Sequence, residues 1–137
     1  MLPDSIRSLI LDEQARQDNR FIEDVDLGEY LAKLGDKAEI LSDSAGERCR
    51  GFVAFYCNDQ TTKQAYITLV LVDPRDRGLG IGRTLVACVL DLAKRRGFTS
   101  CRLQVDRHNE AAHAMYRALG FRVVEDGGKK SLLEIGL

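Results

Sequence analysis

The strand-like run AYITLVLV (65–72) passes through Asp73-Pro74 into Arg77-Gly78-Leu79-Gly80-Ile81-Gly82, where a helical pattern begins. No other stretch restricts the fold as much. The run is β-branched and almost wholly apolar, as a central strand buried on both faces should be. Proline cannot continue a ladder and ends it. Glycines at alternate positions let the backbone approach a ligand with no Cβ in the way. The helix start that follows offers unpaired N–H groups and a positive dipole end, so strand, turn and helix together make a pyrophosphate cradle. Spacing excludes two other phosphate loops. A Walker A loop ending at Gly82 needs glycine at 77 and lysine at 83, where Arg77 and Arg83 stand. A dinucleotide fingerprint starting at Gly78 needs glycine or alanine at 83, and one starting at Gly80 needs it at 85, which is Leu85.

The rest of the chain is placed around this turn. Residues 4–17 predict an amphipathic helix with Ile6, Leu9 and Ile10 on one side. Residues 18–26 read as an acidic loop. Asp26 caps a second helix through Leu27, Tyr30, Leu31 and Leu34, with Gly35 as its stop. Strands follow at 38–43, 50–57 and 65–72, joined by short connections that favour antiparallel pairing. Beyond the turn come a helix over 81–96 closed by Gly97, a strand at 101–106 and a helix from the cap Asn109 to Leu119. A strand at 121–124 and a hairpin partner at 131–135 complete the order. The expected fold is α/β (α+β): a mixed, mostly antiparallel sheet of about six strands with helices on both faces.

A chain of 137 residues fits one domain, 1–137. Twenty basic and twenty-one acidic residues give a net charge of −1, without the basic excess of a nucleic-acid coat. Lys94-Arg95-Arg96 reads as a solvated helix end, where cations suit the dipole. No run approaches a membrane span, and the N-terminus lacks a secretory pattern. Cys49, Cys57, Cys88 and Cys101 form no Cys-x-x-Cys pair, so no metal site is expected. Cys57, Cys88 and Cys101 sit in apolar runs and read as buried free thiols of a reducing cytoplasm.

The pattern Arg/Gln-x-x-Gly-x-Gly/Ala, here Arg77 to Gly82, resembles the GNAT superfamily of acyl-CoA N-acyltransferases. The strand ending Leu71-Val72-Asp73-Pro74, the LQVDRHN segment, and Asn109 through AMYRALGF to Phe121 follow the family's order. The clear part spans residues 65–124, an acetyl-CoA-binding and catalytic core, with 1–37 as a helical acceptor-side region. The resemblance implies acetyl-CoA as cosubstrate, no metal, and two strands that splay apart at the family's fourth and fifth positions. It implies that the backbone of Val70, Leu71 and Val72 pairs with the pantetheine arm and polarises the thioester carbonyl. Backbone N–H groups of Arg77, Gly78, Leu79, Gly80, Ile81, Gly82 and Arg83 would hold the pyrophosphate. Asn109 would contact the cofactor arm, and Tyr116, two helical turns on, would protonate the departing thiolate. Read without the family, Asn109 is a helix cap, Tyr116 a half-buried core residue, and Arg77 shapes the turn.

The general base is not marked. Gln104 stands where some protein N-terminal acetyltransferases of the family carry glutamate, and glutamine is no base. Asp106, Glu23, Asp24 and Asp26 are candidates, each with an ordinary reading as a surface acid. Tyr56-Cys57-Asn58-Asp59, Tyr66 and Thr68 are expected near the acceptor, with turn chemistry as the other reading of Asn58-Asp59. His108 and His113 read as exposed helix-end residues. Members commonly begin with a strand, and none is evident here. The sheet is then one strand short, or another chain fills the edge, which keeps a homodimer open. The expected reaction is acetyl transfer to a primary amine of a small molecule: an amino sugar, a polyamine or an amino-acid-like compound. The alternatives are acetylation of a protein N-terminus or lysine, and a non-catalytic acyl-CoA-binding module.

Overall fold

The computed structural model describes residues 1–137. Its elements run α1 (Asp4–Arg16), α2 (Leu27–Lys37), β1 (Glu39–Ala45), β2 (Arg48–Tyr56), β3 (Gln64–Val72), a 3-10 turn Pro74–Asp76, α3 (Ile81–Arg95), β4 (Ser100–Asp106), α4 (Glu110–Leu119), β5 (Arg122–Glu125) and β6 (Lys130–Gly136). One six-stranded sheet has the order β1-β2-β3-β4-β6-β5. Only β3 and β4 pair parallel; all other neighbours are antiparallel. The mixed, mostly antiparallel sheet expected from the pattern is present, and no strand precedes α1. No helix is long and apolar enough to cross a membrane.

Alternation along β2 builds two cores. Val53 and Phe55 face α3 and α4, joining Val86, Val89, Leu103, Tyr116 and Phe121. Phe52 and Ala54 face α1 and α2, joining Ile6, Ile10, Leu31 and Leu34. Phe52 and Phe55 are fully buried, each contributing about 1.5–3 kcal/mol by leaving water. The β5–β6 hairpin forms, but β6 lies against β4 and takes the inner place. Its Ser131 and Leu133 are buried, whereas all of β5 is exposed.

The caps hold as read. Asp26 Oδ1 accepts from the Glu29 N–H at 2.9 Å, and Asn109 Oδ1 from the Ala112 N–H at 3.1 Å. Two expectations are corrected. Gly35 does not stop α2, which runs on to Lys37. A Cβ there would lie 3.0 Å from the Leu2 nitrogen, so glycine lets the N-terminal segment cross the helix. Cys88 is exposed, because the buried stripe of α3 follows Ile81, Leu85, Val89 and Ala93. Cys49, Cys57 and Cys101 are the buried thiols.

Candidate functional site

Between β3 and β4 the sheet opens. Their ladder covers only Gln64↔Ser100 to Ile67↔Leu103. On the other side of β3, Ala54 stands opposite Leu69 and Phe55 opposite Ile67, which leaves Thr68 as an extra residue. Such a bulge bends the strand, and it sits where pairing with β4 ends. The strands then diverge around a cavity of about 620 Å³, lined by Thr68, Leu69 and Val70 on one side and Gln104, Val105 and Asp106 on the other.

The β2–β3 register fixes which groups of β3 face this gap. Asp73 donates its N–H to the Arg50 carbonyl at 2.8 Å, and Gly51 stands opposite Val72. Antiparallel rungs alternate, so the backbone of Leu71 turns toward Phe52 while that of Val70 and Val72 turns to the gap. The Val72 carbonyl is taken there by Arg77 Nε at 3.2 Å. Of the strand residues expected to pair with the cofactor arm, Val70 and Val72 therefore present main-chain groups and Leu71 does not.

A second cavity of about 770 Å³ runs from Val70 and Val72 past Gly78, Gly80 and Gly82 to the small side chains of α4, among them Ala111, Ala114 and Ala118. Gln17, Phe21, Val70, Asn109 and Ala112 line both cavities, so the cleft is continuous. Gly78 (φ 84°) and Gly80 (φ 78°) hold the turn in the left-handed region. α3 starts with no side-chain cap. None of the backbone N–H groups from Arg77 to Arg83 meets a protein acceptor; the first engaged is Thr84, bonded to Gly80. Leu79 is exposed at the tip and Ile81 is buried beneath it.

Side chains fix the turn from below. Asp73 Oδ1 accepts from the Arg75 N–H at 2.9 Å, capping the 3-10 turn. Arg48 reaches Asp76 at 2.6 Å and Asp73 at 3.5 Å. The Arg75 guanidinium beside Asp73 and the Arg48 guanidinium beside Asp76 hold both carboxyls below the usual range. Arg77 Nη2 donates to Glu13 Oε1 at 2.9 Å, so its side chain shapes the turn.

Tyr116 is buried, edge-on to Phe121 with centroids 5.6 Å apart, and lines the gap below the cap Asn109. Burial first, then the neighbouring Cys101, pushes its phenol up to about 12. Among the carboxylates considered as bases, Asp26 is engaged as the α2 cap and Asp106 accepts from the His108 N–H at 2.8 Å. Glu23 and Asp24 are exposed on the cavity wall. Gln104 and His108 also line that cavity, while His113 Nε2 donates to the Asp106 carbonyl at 3.2 Å. Asp59 serves its own turn, accepting from the N–H groups of Thr61 and Thr62. Thr68 Oγ1 lies 3.4 Å from the Tyr30 hydroxyl, under the bulge.

Sequence reasoning missed the contribution of α1 and the segment after it. Buried Glu13 and Gln14 anchor that region, and Gln17, Arg20 and Phe21 line the cleft. The signal was present: positions 13 and 14 continue the stripe of Ile6, Leu9 and Ile10, so two polar side chains stood on an apolar face.

The open sheet, splayed beside a glycine turn that starts a helix, defines an α/β fold with a phosphate-type cradle at its open seam. The model of the Acetyltransferase (GNAT) family matches residues 6–121, and the chain belongs to that family. An uncharacterized N-acetyltransferase of Methanocaldococcus jannaschii is 38% identical over 79 residues, 55% of this chain and 35% of that protein. The L-2,4-diaminobutyric acid acetyltransferase of Nocardia farcinica is 29% identical over 66% of this chain and 47% of its own length. The matched segment thus spans less than half of these relatives. Among solved structures, the ribosomal-protein-S18-alanine N-acetyltransferase of Escherichia coli superposes with a TM-score of 0.75 at 18% identity, covering 97% of this chain and 87% of that one. The PaiA N-acetyltransferase of Thermoplasma acidophilum, in complex with coenzyme A, gives 0.67 at 20% identity over 100% and 81%.

Proposed function

We propose that the chain is an acetyl-CoA-dependent N-acetyltransferase acting on a primary amine of a small molecule, amino-acid-like in charge. The run of backbone N–H groups from Arg77 to Arg83 without protein acceptors carries this reading. Ile81 and Gly82 are buried and the rest of the run is open to solvent, so these are the free donors of a helix start, and diphosphate oxygens fit them. Acetyl-CoA supplies an activated acetyl thioester. Val70 and Val72 offer it a strand edge, and the alanines of α4 leave width for a ligand arm. Asn109 borders that arm while capping α4.

Tyr116 gives its proton to the departing sulfur. At about 12 its phenol stays protonated at every working pH. Phenol and alkyl thiol have similar values in water, and burial that raises the phenol also raises a thiol held beside it, so the two stay matched for transfer. General acids of this kind contribute about 10²–10⁴-fold. With Asp26 and Asp106 engaged in turns, Glu23 and Asp24 are left to receive the amine's proton, through water. The acceptor side carries both signs, with Glu23 and Asp24 lining one cavity together with Arg20, Lys129 and Lys130. An acceptor with an amine and a carboxylate satisfies both sets. The diaminobutyrate enzyme of N. farcinica acts on a compound of that kind.

A thiol-release screen with acetyl-CoA tests this reading. Diamino acids are expected to be turned over better than polyamines, amino sugars or alanine-headed peptides. Turnover of the peptides alone points to a protein acceptor. Coenzyme A binding with no turnover of any amine points to a binding module.

A further inference from the structure

The last turn of α1 touches both halves of the cleft. Glu13 is almost wholly buried and takes three hydrogen-bonding partners: Arg77 at 2.9 Å, Arg16 at 2.9 Å and Gln17 at 2.6 Å. Burial pushes its carboxyl up, but those bonds outweigh it and the group stays below its usual range, charged and committed to Arg77. The next residue, Gln14, is buried too. Its Nε2 donates to the Ile22 carbonyl at 2.9 Å and the Asn19 carbonyl at 3.3 Å, and its Oε1 accepts from the Ile22 N–H at 2.7 Å. That amide pairs with Ile22 as a neighbouring strand would.

What Gln14 holds is the acceptor wall. Residues 17–24 carry Gln17, Arg20, Phe21, Glu23 and Asp24 into the cavity. Asp18 (φ 51°), Asn19 (φ 64°) and Asp24 (φ 64°) sit in the left-handed region without being glycine. Asn and Asp tolerate it best, yet such a segment keeps its shape only where something over-determines it. Main-chain bonds from Asp18, Asn19 and Arg20 hold its start, and Gln14 is the side chain that ties it at Asn19 and Ile22.

We propose that Glu13 and Gln14 are positioning residues that couple the cofactor turn to the acceptor wall, so that filling the cradle at Arg77–Arg83 orders residues 17–24. Such coupling has a physical route in two adjacent buried side chains on one rigid helical turn, one bonded to each half-site. This rests on the acetyl-CoA reading given above. It goes further in assigning the acceptor wall's order to cofactor occupancy.

Hydrogen exchange at the Ile22 amide, with coenzyme A as the probe, tests it without needing an acceptor. Saturating coenzyme A is expected to slow that amide roughly tenfold in the wild-type chain. In Glu13→Gln, at its own saturating concentration, coenzyme A binds but the slowing is lost. Arg77→Leu breaks the same ion pair from its half-exposed end and serves if Glu13→Gln fails to fold. Gln14→Met makes the amide fast with or without ligand. Coenzyme A binding with an unchanged Ile22 amide, or an equal response in wild type and both ion-pair variants, overturns the coupling while leaving the acetyl-CoA reading intact. No binding of coenzyme A to the wild-type chain overturns both.

Discussion

On the proposed cofactor side of the cleft the free hydrogen-bonding groups are chiefly main-chain ones: the amides from Arg77 to Arg83, and Val70 and Val72 along the edge of β3. On the proposed acceptor side the polar lining comes from side chains: Arg20, Glu23, Asp24, Lys129 and Lys130. Main-chain donors are set by backbone geometry, so the first half is specified by glycines, a proline and a bulge. Long charged side chains are set by their neighbours, so the second half depends on how residues 17–24 are held. The cofactor half should therefore fail through backbone changes and the acceptor half through charge changes.

The largest effect should come from Gly80→Val. A β-branched residue at φ 78° is strained by about 1–3 kcal/mol, which distorts the turn even though a Cβ there meets open space. Titration calorimetry should show coenzyme A affinity down by at least about 100-fold, each factor of ten being about 1.4 kcal/mol. Affinity close to wild type would remove the cradle from this turn.

Next is Tyr116→Phe. Thiol release on an accepted amine should fall about 100-fold or more, within the range for a general acid, while coenzyme A binds as before. The raised phenol adds a pH signature. A group at about 12 stays protonated through pH 10, so the wild-type rate should show no alkaline loss near the ordinary tyrosine value of about 10. An alkaline limb there that vanishes in the phenylalanine variant would contradict the burial effect.

Smaller changes in binding belong to the acceptor wall. Glu23→Gln with Asp24→Asn should lower kcat, because these carboxylates take the amine's proton, and should raise KM for a cationic acceptor by roughly three- to tenfold, in line with exposed ion pairs worth up to about 1 kcal/mol, while leaving KM for acetyl-CoA alone. An equal rise in both constants would blur the division of the cleft. The smallest effect is expected from Arg48→Met, which removes the partner of Asp76 beneath the turn. Both Asp73 and Asp76 have folded values below their unfolded ones. Their stabilisation is thus present above the ordinary aspartate range, about 4, and lost as pH falls through the lower folded values. The variant should melt lower than wild type at pH 7, and the gap should close in strong acid. A constant gap would mean that Arg48 acts through packing.

The cofactor half was legible in the sequence for the same reason that it is robust. Glycine, proline and Asn caps state backbone geometry directly, so the turn, the ends of α3 and α4 and the strand before them are read from local residues. The splay was expected from the family, but its cause was not visible. The bulge at Thr68 is a matter of register between β2 and β3, and no residue type marks it. Gly35 misled because glycine serves close approach as well as helix ends. Glu13 and Gln14 were overlooked because a polar residue on an apolar stripe shows its purpose only when the opposite partner is in view. Placing β6 inside β5 likewise needed tertiary burial of Ser131 and Leu133.

The seam between β3 and β4 has a mechanical meaning. Joined only from Gln64↔Ser100 to Ile67↔Leu103, the sheet is a zipper closed at one end. A pull that separates its halves meets few rungs there, while the β4–β6 seam holds from Ser100 to Asp106. A ligand arm bonded along Val70 and Val72 would add rungs to the weak seam. Loaded with coenzyme A, the chain should resist stretching more than it does empty, with the ligand acting as a length of missing stitching.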